Sequence, residues 1–146
     1  MYSEKACELF SNGYNCAQAT VGAFAEKIGL SLEDATTFAA GFGGGGAGTR
    51  EVCGAISGLL FVAGKLYGSY DPLDNKAKTA FYKRLQGLLQ EFTDEFGTTN
   101  CAELLKKAAI LPKKEPSERT AAYYATRPCV RFVEKAAQLL EKEFFT

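Results

Sequence analysis

Apolar residues recur along this chain at every third or fourth position, the spacing that lines one face of an α-helix, and no useful stretch alternates as a strand does. The clearest stripe runs through Ala77, Phe81, Leu85, Leu88, Phe92 and Phe96, with Gly97 as its stop. Cys53, Ile56, Leu60, Ala63 and Tyr67 form a second stripe, on a helix predicted from Arg50 to about Tyr67 with Thr49 as its cap. A third stripe, Cys129, Phe132, Val133, Ala136 and Leu140, follows Pro128, a residue suited to the first position of a helix. Shorter helices are predicted from their caps. Ser3 opens one that ends near Gly13, and Asn15 opens Cys16 to Ile28, closed by Gly29. Ser31 with Asp34 opens a third in the manner of a capping box. Asn100 opens a sixth, with Cys101, Leu104, Leu105 and Ala108 inward and Pro112 beyond its end, and Ser117 opens a seventh through Ala125. The expectation is an all-α fold, one domain over residues 1–146, built as a bundle of seven or eight short helices.

The third and fourth helices are separated by Gly41 to Gly48, which holds six glycines, among them the unbroken run Gly43, Gly44, Gly45 and Gly46. An ordered glycine costs about 1 kcal/mol relative to alanine, so such density is expensive for a plain connector. The expectation is a backbone approached closely by a ligand or cofactor, its N–H groups turned toward it, with Gly43 to Gly46 as the binding residues. Gly41, Gly43 and Gly46 fit the letters of a dinucleotide fingerprint, but no strand precedes them and Arg50 is no Walker lysine, so that match carries little.

Composition narrows the class. The 146 residues suffice for a full core, and 47% hydrophobic residues argue against disorder. Lysine plus arginine and aspartate plus glutamate number 17 each, which leaves no electrostatic footprint for nucleic acid. The N-terminal stretch is polar and the longest apolar run, near Ile56 to Gly64, is too short to span a bilayer. A cytoplasmic protein without membrane insertion is expected, and a homo-oligomer is compatible with the composition.

Cysteine is the unusual component. Five are present, at 7, 16, 53, 101 and 129, and there is no histidine. Cys–His zinc sites, a histidine base and c-type haem attachment are thereby excluded, and no two cysteines lie close enough in sequence for a zinc knuckle. Cys16, Cys53, Cys101 and Cys129 each fall in the first turn of a separate predicted helix, at the head of its apolar stripe. Asn15-Cys16-Ala17 and Asn100-Cys101-Ala102 repeat one cap. If consecutive helices run antiparallel, all four cysteines gather at one pole, while Cys7 stays outside. A cysteine on an apolar face often serves only as a small hydrophobe. Four of them at equivalent helix starts beside a glycine run point instead to a functional thiol cluster. The positive end of a helix favours thiolate there, Cys53 being the candidate nucleophile. Gly54 and Gly58 clear one helix face so that another element can pack close to Cys53.

The segment Cys53-Gly54-Ala55-Ile56-Ser57-Gly58, preceded by the glycine-rich stretch, resembles the Cys-Gly-Ala-x-x-Gly motif of a family of small bacterial proteins, C_GCAxxG_C_C. That family is about this length and has one characteristic cysteine before the motif, one in it and two after, an order that Cys16, Cys53, Cys101 and Cys129 match. The resemblance covers nearly the whole chain and implies a redox role for these four residues; Cys7 is extra to the pattern.

Two chemistries remain open at this point. In the first, Cys16, Cys53, Cys101 and Cys129 carry out thiol–disulfide exchange, which requires no cofactor, with a redox partner protein or a small disulfide. In the second, the same four thiolates ligate an iron–sulfur cluster or another metal for electron transfer, the glycine N–H groups hydrogen-bonding the sulfurs.

Overall fold

The computed structural model describes residues 1–145 and is all-α. Its helices are α1 (Tyr2–Ser11), α2 (Cys16–Ala23), α3 (Leu32–Ala39), α4 (Gly54–Tyr67), α5 (Asn75–Phe96), α6 (Cys101–Lys107), α7 (Ala121–Thr126) and α8 (Cys129–Phe144). A short 3-10 turn, Ala40–Phe42, leads from α3 into the glycine run. Among the described residues no helix is long and apolar enough to cross a membrane.

α2 is the centre of the packing, in contact with α1, α3, α4 and α8. Its sequence explains why. Ala17, Ala19, Thr20, Val21, Gly22 and Ala23 are small and all buried, so neighbours approach from several sides at once. A Cβ on Gly22 would stand 2.9 Å from Leu9 Cδ1. On the facing helix, a Cβ on Gly58 would stand 2.8 Å from Thr20 Cβ, and one on Gly54 would stand 3.1 Å from the Ala17 nitrogen. Gly54 and Gly58 do clear a face of α4, and α2 fills it. α1 and α8 complete the core with Phe10, Val133, Ala136 and Leu140, while α5 lends Leu85, Leu88 and Phe92 and leaves its other faces in water.

Several boundaries differ from the sequence expectation. α4 begins at Gly54 and not at Arg50. Residues 50–53 are held away from helix by the α6 start: Val52 bridges Asn100, and the Cys53 N–H donates to the Thr99 carbonyl at 2.8 Å. In return the Cys101 N–H donates to the Glu51 carbonyl at 2.6 Å and the Ala102 N–H to the Arg50 carbonyl at 3.2 Å. Two orphan donors of the α6 terminus are thus satisfied by a distant segment. α2 stops at Ala23 and continues to Gly29 as turns. α7 is capped by Thr120, whose Oγ1 accepts from the Tyr123 N–H, because the Ser117 hydroxyl accepts from Arg127 instead. Ser3 lies inside α1, and Pro128 precedes α8 as its N-cap.

Candidate functional site

The local sequence sets each cysteine at a helix start. Asn15 forms a complete capping box with Gln18: its Oδ1 accepts from the Gln18 N–H at 2.8 Å, and its own N–H donates to Gln18 Oε1 at 3.1 Å. Cys16 is therefore the first residue of α2. Asn100 Oδ1 accepts from the Glu103 N–H at 2.9 Å, which makes Cys101 the first residue of α6. Cys129 opens α8 directly after Pro128, and Cys53 is the residue just before α4.

The structure brings Cys16, Cys53, Cys101 and Cys129 to the wall of one cavity of about 370 Å³. Cys53 and Cys129 are buried, Cys16 and Cys101 half-buried. Cys7 lies elsewhere, its Sγ 4.0 Å from Glu134 Oε2 on α8.

Within the cavity the thiols differ sharply. The neighbouring Cys16 thiol, together with Arg127 and the charge of Arg119, holds Cys129 down to about 7 against its burial. The neighbouring Cys129, burial and the other sulfurs of the cavity push Cys16 well up. Burial raises Cys53 to about 12, although the N–H groups of Ala55 and Ile56 oppose it. Burial also raises Cys101, opposed by Arg50, whose Nη1 donates to Cys101 Sγ at 3.7 Å. The expectation that Cys53 is the activated thiolate is thus corrected. The helix start does act on its sulfur, but desolvation outweighs it, and the thiols with arginine beside them are Cys101 and Cys129.

Gly43, Gly44 and Gly45 line the cavity; Gly46 does not. The N–H groups that bond within the loop are those that follow Gly43, Gly44 and Gly45, not those of these three cavity-lining glycines. Gly46 donates to Phe42, Ala47 to Gly41, Gly48 to Gly43, Arg50 to Gly44 and Glu51 to Gly45. Glycine is required here by left-handed backbone, with φ of 63° at Gly44 and 71° at Gly45, and by contact with its own chain. A Cβ on Gly45 would meet the Glu51 nitrogen at 2.6 Å, and one on Gly48 the Lys114 carbonyl oxygen at 2.2 Å. The loop is packed down as a wall, so internal crowding by itself accounts for glycine at Gly45 and Gly48.

Three residues that the sequence pattern did not single out complete the site. Arg119 donates to the carbonyls of Phe10 and Tyr14, at 3.2 and 3.1 Å, and lies over the rings of Phe10 and Tyr123. Arg127 donates to Ser117 Oγ at 3.0 Å and also lies over Tyr123. Tyr123 lines the cavity between them, its phenol pushed up to about 12 by burial and then by Cys129. Their one signal in the sequence is Arg127 standing two residues before Cys129, in a stretch whose charge otherwise reads as a solvated loop.

A model of a family described as "Putative redox-active protein (C_GCAxxG_C_C)" matches residues 14–143. The chain belongs to this family. The match takes in all four cavity cysteines of the C_GCAxxG_C_C chain and leaves Cys7 outside. The chain is also similar to an uncharacterized protein of Archaeoglobus fulgidus, 27% identical over 142 residues, covering 92% of this chain and 87% of the other. No solved structure matches. For the metal-ligand assignment of Cys16, Cys53, Cys101 and Cys129, the geometry offers no ready set. Among the described residues no group of three or more histidine, cysteine, aspartate or glutamate side chains is placed to hold a metal ion.

Proposed function

We propose that this C_GCAxxG_C_C protein carries out thiol–disulfide exchange, with Cys129 as the attacking thiolate and Cys16 as the resolving thiol. The observation that supports this reading is the placement of the two thiols in one cavity, near enough to shift each other's titration, with Arg127 near Cys129. A protonated thiol beside a thiolate, each on its own rigid helix start, is the arrangement that two successive exchange steps need.

The electrons balance as follows. The Cys129 thiolate attacks one sulfur of a disulfide, that S–S bond breaks, and the first leaving group departs as thiolate. Cys16 then gives up its proton, which the departed thiolate accepts. Its sulfur attacks Cys129, releases the second leaving group as thiolate and closes a Cys16–Cys129 disulfide. Two protein sulfurs are oxidised by two electrons in total, and one disulfide is reduced to a thiol and a thiolate. Cys53, buried and raised to about 12, stays a protonated wall residue through these steps.

The reading is tested by oxidising the reduced protein with one equivalent of a small disulfide and mapping the product by mass spectrometry. The expected product is one reversible Cys16–Cys129 bond with Cys7 free, and Cys16→Ser should arrest the protein as a mixed disulfide on Cys129. A Cys53–Cys101 bond, or protein purified without oxygen carrying cysteine-bound iron, would overturn it.

A further inference from the structure

The whole chain is neutral, yet its thiol cavity is not. Arg50, Lys114, Arg119 and Arg127 all line it, and no aspartate or glutamate does. Seventeen carboxylates are spread over the described surface, and none contributes to this wall. Among the described residues none of these four cations forms an ion pair with a carboxylate. The three arginines are held in place. Arg119 is locked by backbone carbonyls and rings, so it acts as a standing charge. Arg127 stands beside Cys129, and Arg50 is anchored through Nε to the Lys113 carbonyl at 2.7 Å with Nη1 facing Cys101. Cations therefore flank the thiols from both the α6 and the α8 side. Leu104, Leu105 and Phe132 give the same cavity an apolar strip.

We infer that the substrate is a small disulfide carrying carboxylates on both sides of its S–S bond. This rests on the exchange reaction proposed above and adds its substrate class. The apolar strip takes the methylenes, the cations take the carboxylates, and the S–S bond lies over the Cys16–Cys129 pair. A cavity of about 370 Å³ admits a small molecule and not the folded surface of a partner protein. Fixed cations in a partly enclosed cleft raise the encounter rate of anions by about ten-fold to a thousand-fold.

The test uses three disulfides of similar length and different charge: 3,3′-dithiodipropionate, bis(2-hydroxyethyl) disulfide and cystamine. Rates of oxidation of the reduced protein are measured for each and divided by the rate of the same disulfide with a free small thiol. The expected normalised order is dianion, neutral, dication, with about ten-fold or more between the extremes at low salt, shrinking at high salt. Arg50→Gln and Lys114→Gln should each narrow the ratio several-fold. Suberate, the dicarboxylate with methylenes in place of the sulfurs, should slow alkylation of Cys129 where hexane-1,6-diol does not. Equal rates, or faster reaction of cystamine, would overturn the substrate class while leaving the exchange reaction standing. Suberate protection without reaction of any disulfide would leave anion binding standing and remove the exchange reaction, and this inference about a disulfide with it.

Discussion

Cys16 and Cys129, the first residues of α2 and α8, face one cavity near enough to shift each other's titration, which neither helix could arrange alone. This proximity leaves Cys129 low, at about 7, and Cys16 high. Site-resolved alkylation across pH should therefore show Cys129 reacting with a midpoint near 7, well ahead of the other four thiols. The groups that set it are Cys16 on α2 and Arg127 and Arg119 before α8, acting against burial. Removing the cation by Arg127→Gln should move the midpoint upward, since an opposite charge favours the ionised form. Identical profiles for all five cysteines would contradict the assignment.

Cys53 gives the opposite dependence. Its folded value, about 12, lies above the ordinary 9.0, so the folded state holds the proton more tightly than the unfolded chain. Its contribution is intact below pH 9 and is lost as pH rises through about 12, with a limiting slope of about 1.4 kcal/mol per pH unit. Urea midpoints should fall across that window, and Cys53→Ala should flatten the fall by about one proton's worth. A slope unchanged by the substitution would show that other groups, Tyr123 first, govern alkaline unfolding.

Gly45→Ala should act on stability. The new Cβ would meet Arg50 Cα and the Glu51 nitrogen, both at 2.6 Å, at a φ of 71°. Backbone strain and overpacking together predict a loss of about 2–4 kcal/mol. Chemical denaturation checks this; a variant with wild-type stability would mean that the loop is looser than its packing indicates.

Asn15→Ala should connect a cap to the chemistry. It removes the box with Gln18 and the Nδ2 donation to the Ala40 carbonyl at 3.1 Å, for a loss of about 1–2 kcal/mol. Because Cys16 starts the helix that this cap fixes, formation of the Cys16–Cys129 disulfide should slow as well. Unchanged disulfide kinetics in a destabilised variant would show that the cap acts on folding alone.

The sequence by itself determined the helices and their starts. Stripes at Leu85, Leu88 and Phe92, and at Phe132, Val133 and Ala136, became core because a periodic apolar face has only one way to leave water. Asn15 and Asn100 set their cysteines at helix starts because a side-chain cap acts within three residues, a distance a linear reading can see. Gly54 and Gly58 announced a close helix contact for the same local reason.

Tertiary structure decided the rest. Residues 50–53 carry helix signals, yet they pair with the α6 start, since the orphan N–H groups of Cys101 and Ala102 need acceptors that α6 itself lacks. That pairing removes Cys53 from the helix proper and buries it, so desolvation and not the helix start governs its thiol. Arg119 and Arg127, indistinguishable in the chain from solvated charges, turn inward because carbonyls, aromatic rings and the Cys129 thiol supply partners there. Helix propensity and caps act over a few residues, whereas burial and charge pairing depend on which segments meet. For that reason the sequence could name four cysteines, and only the fold could bring them to one cavity and give each different surroundings.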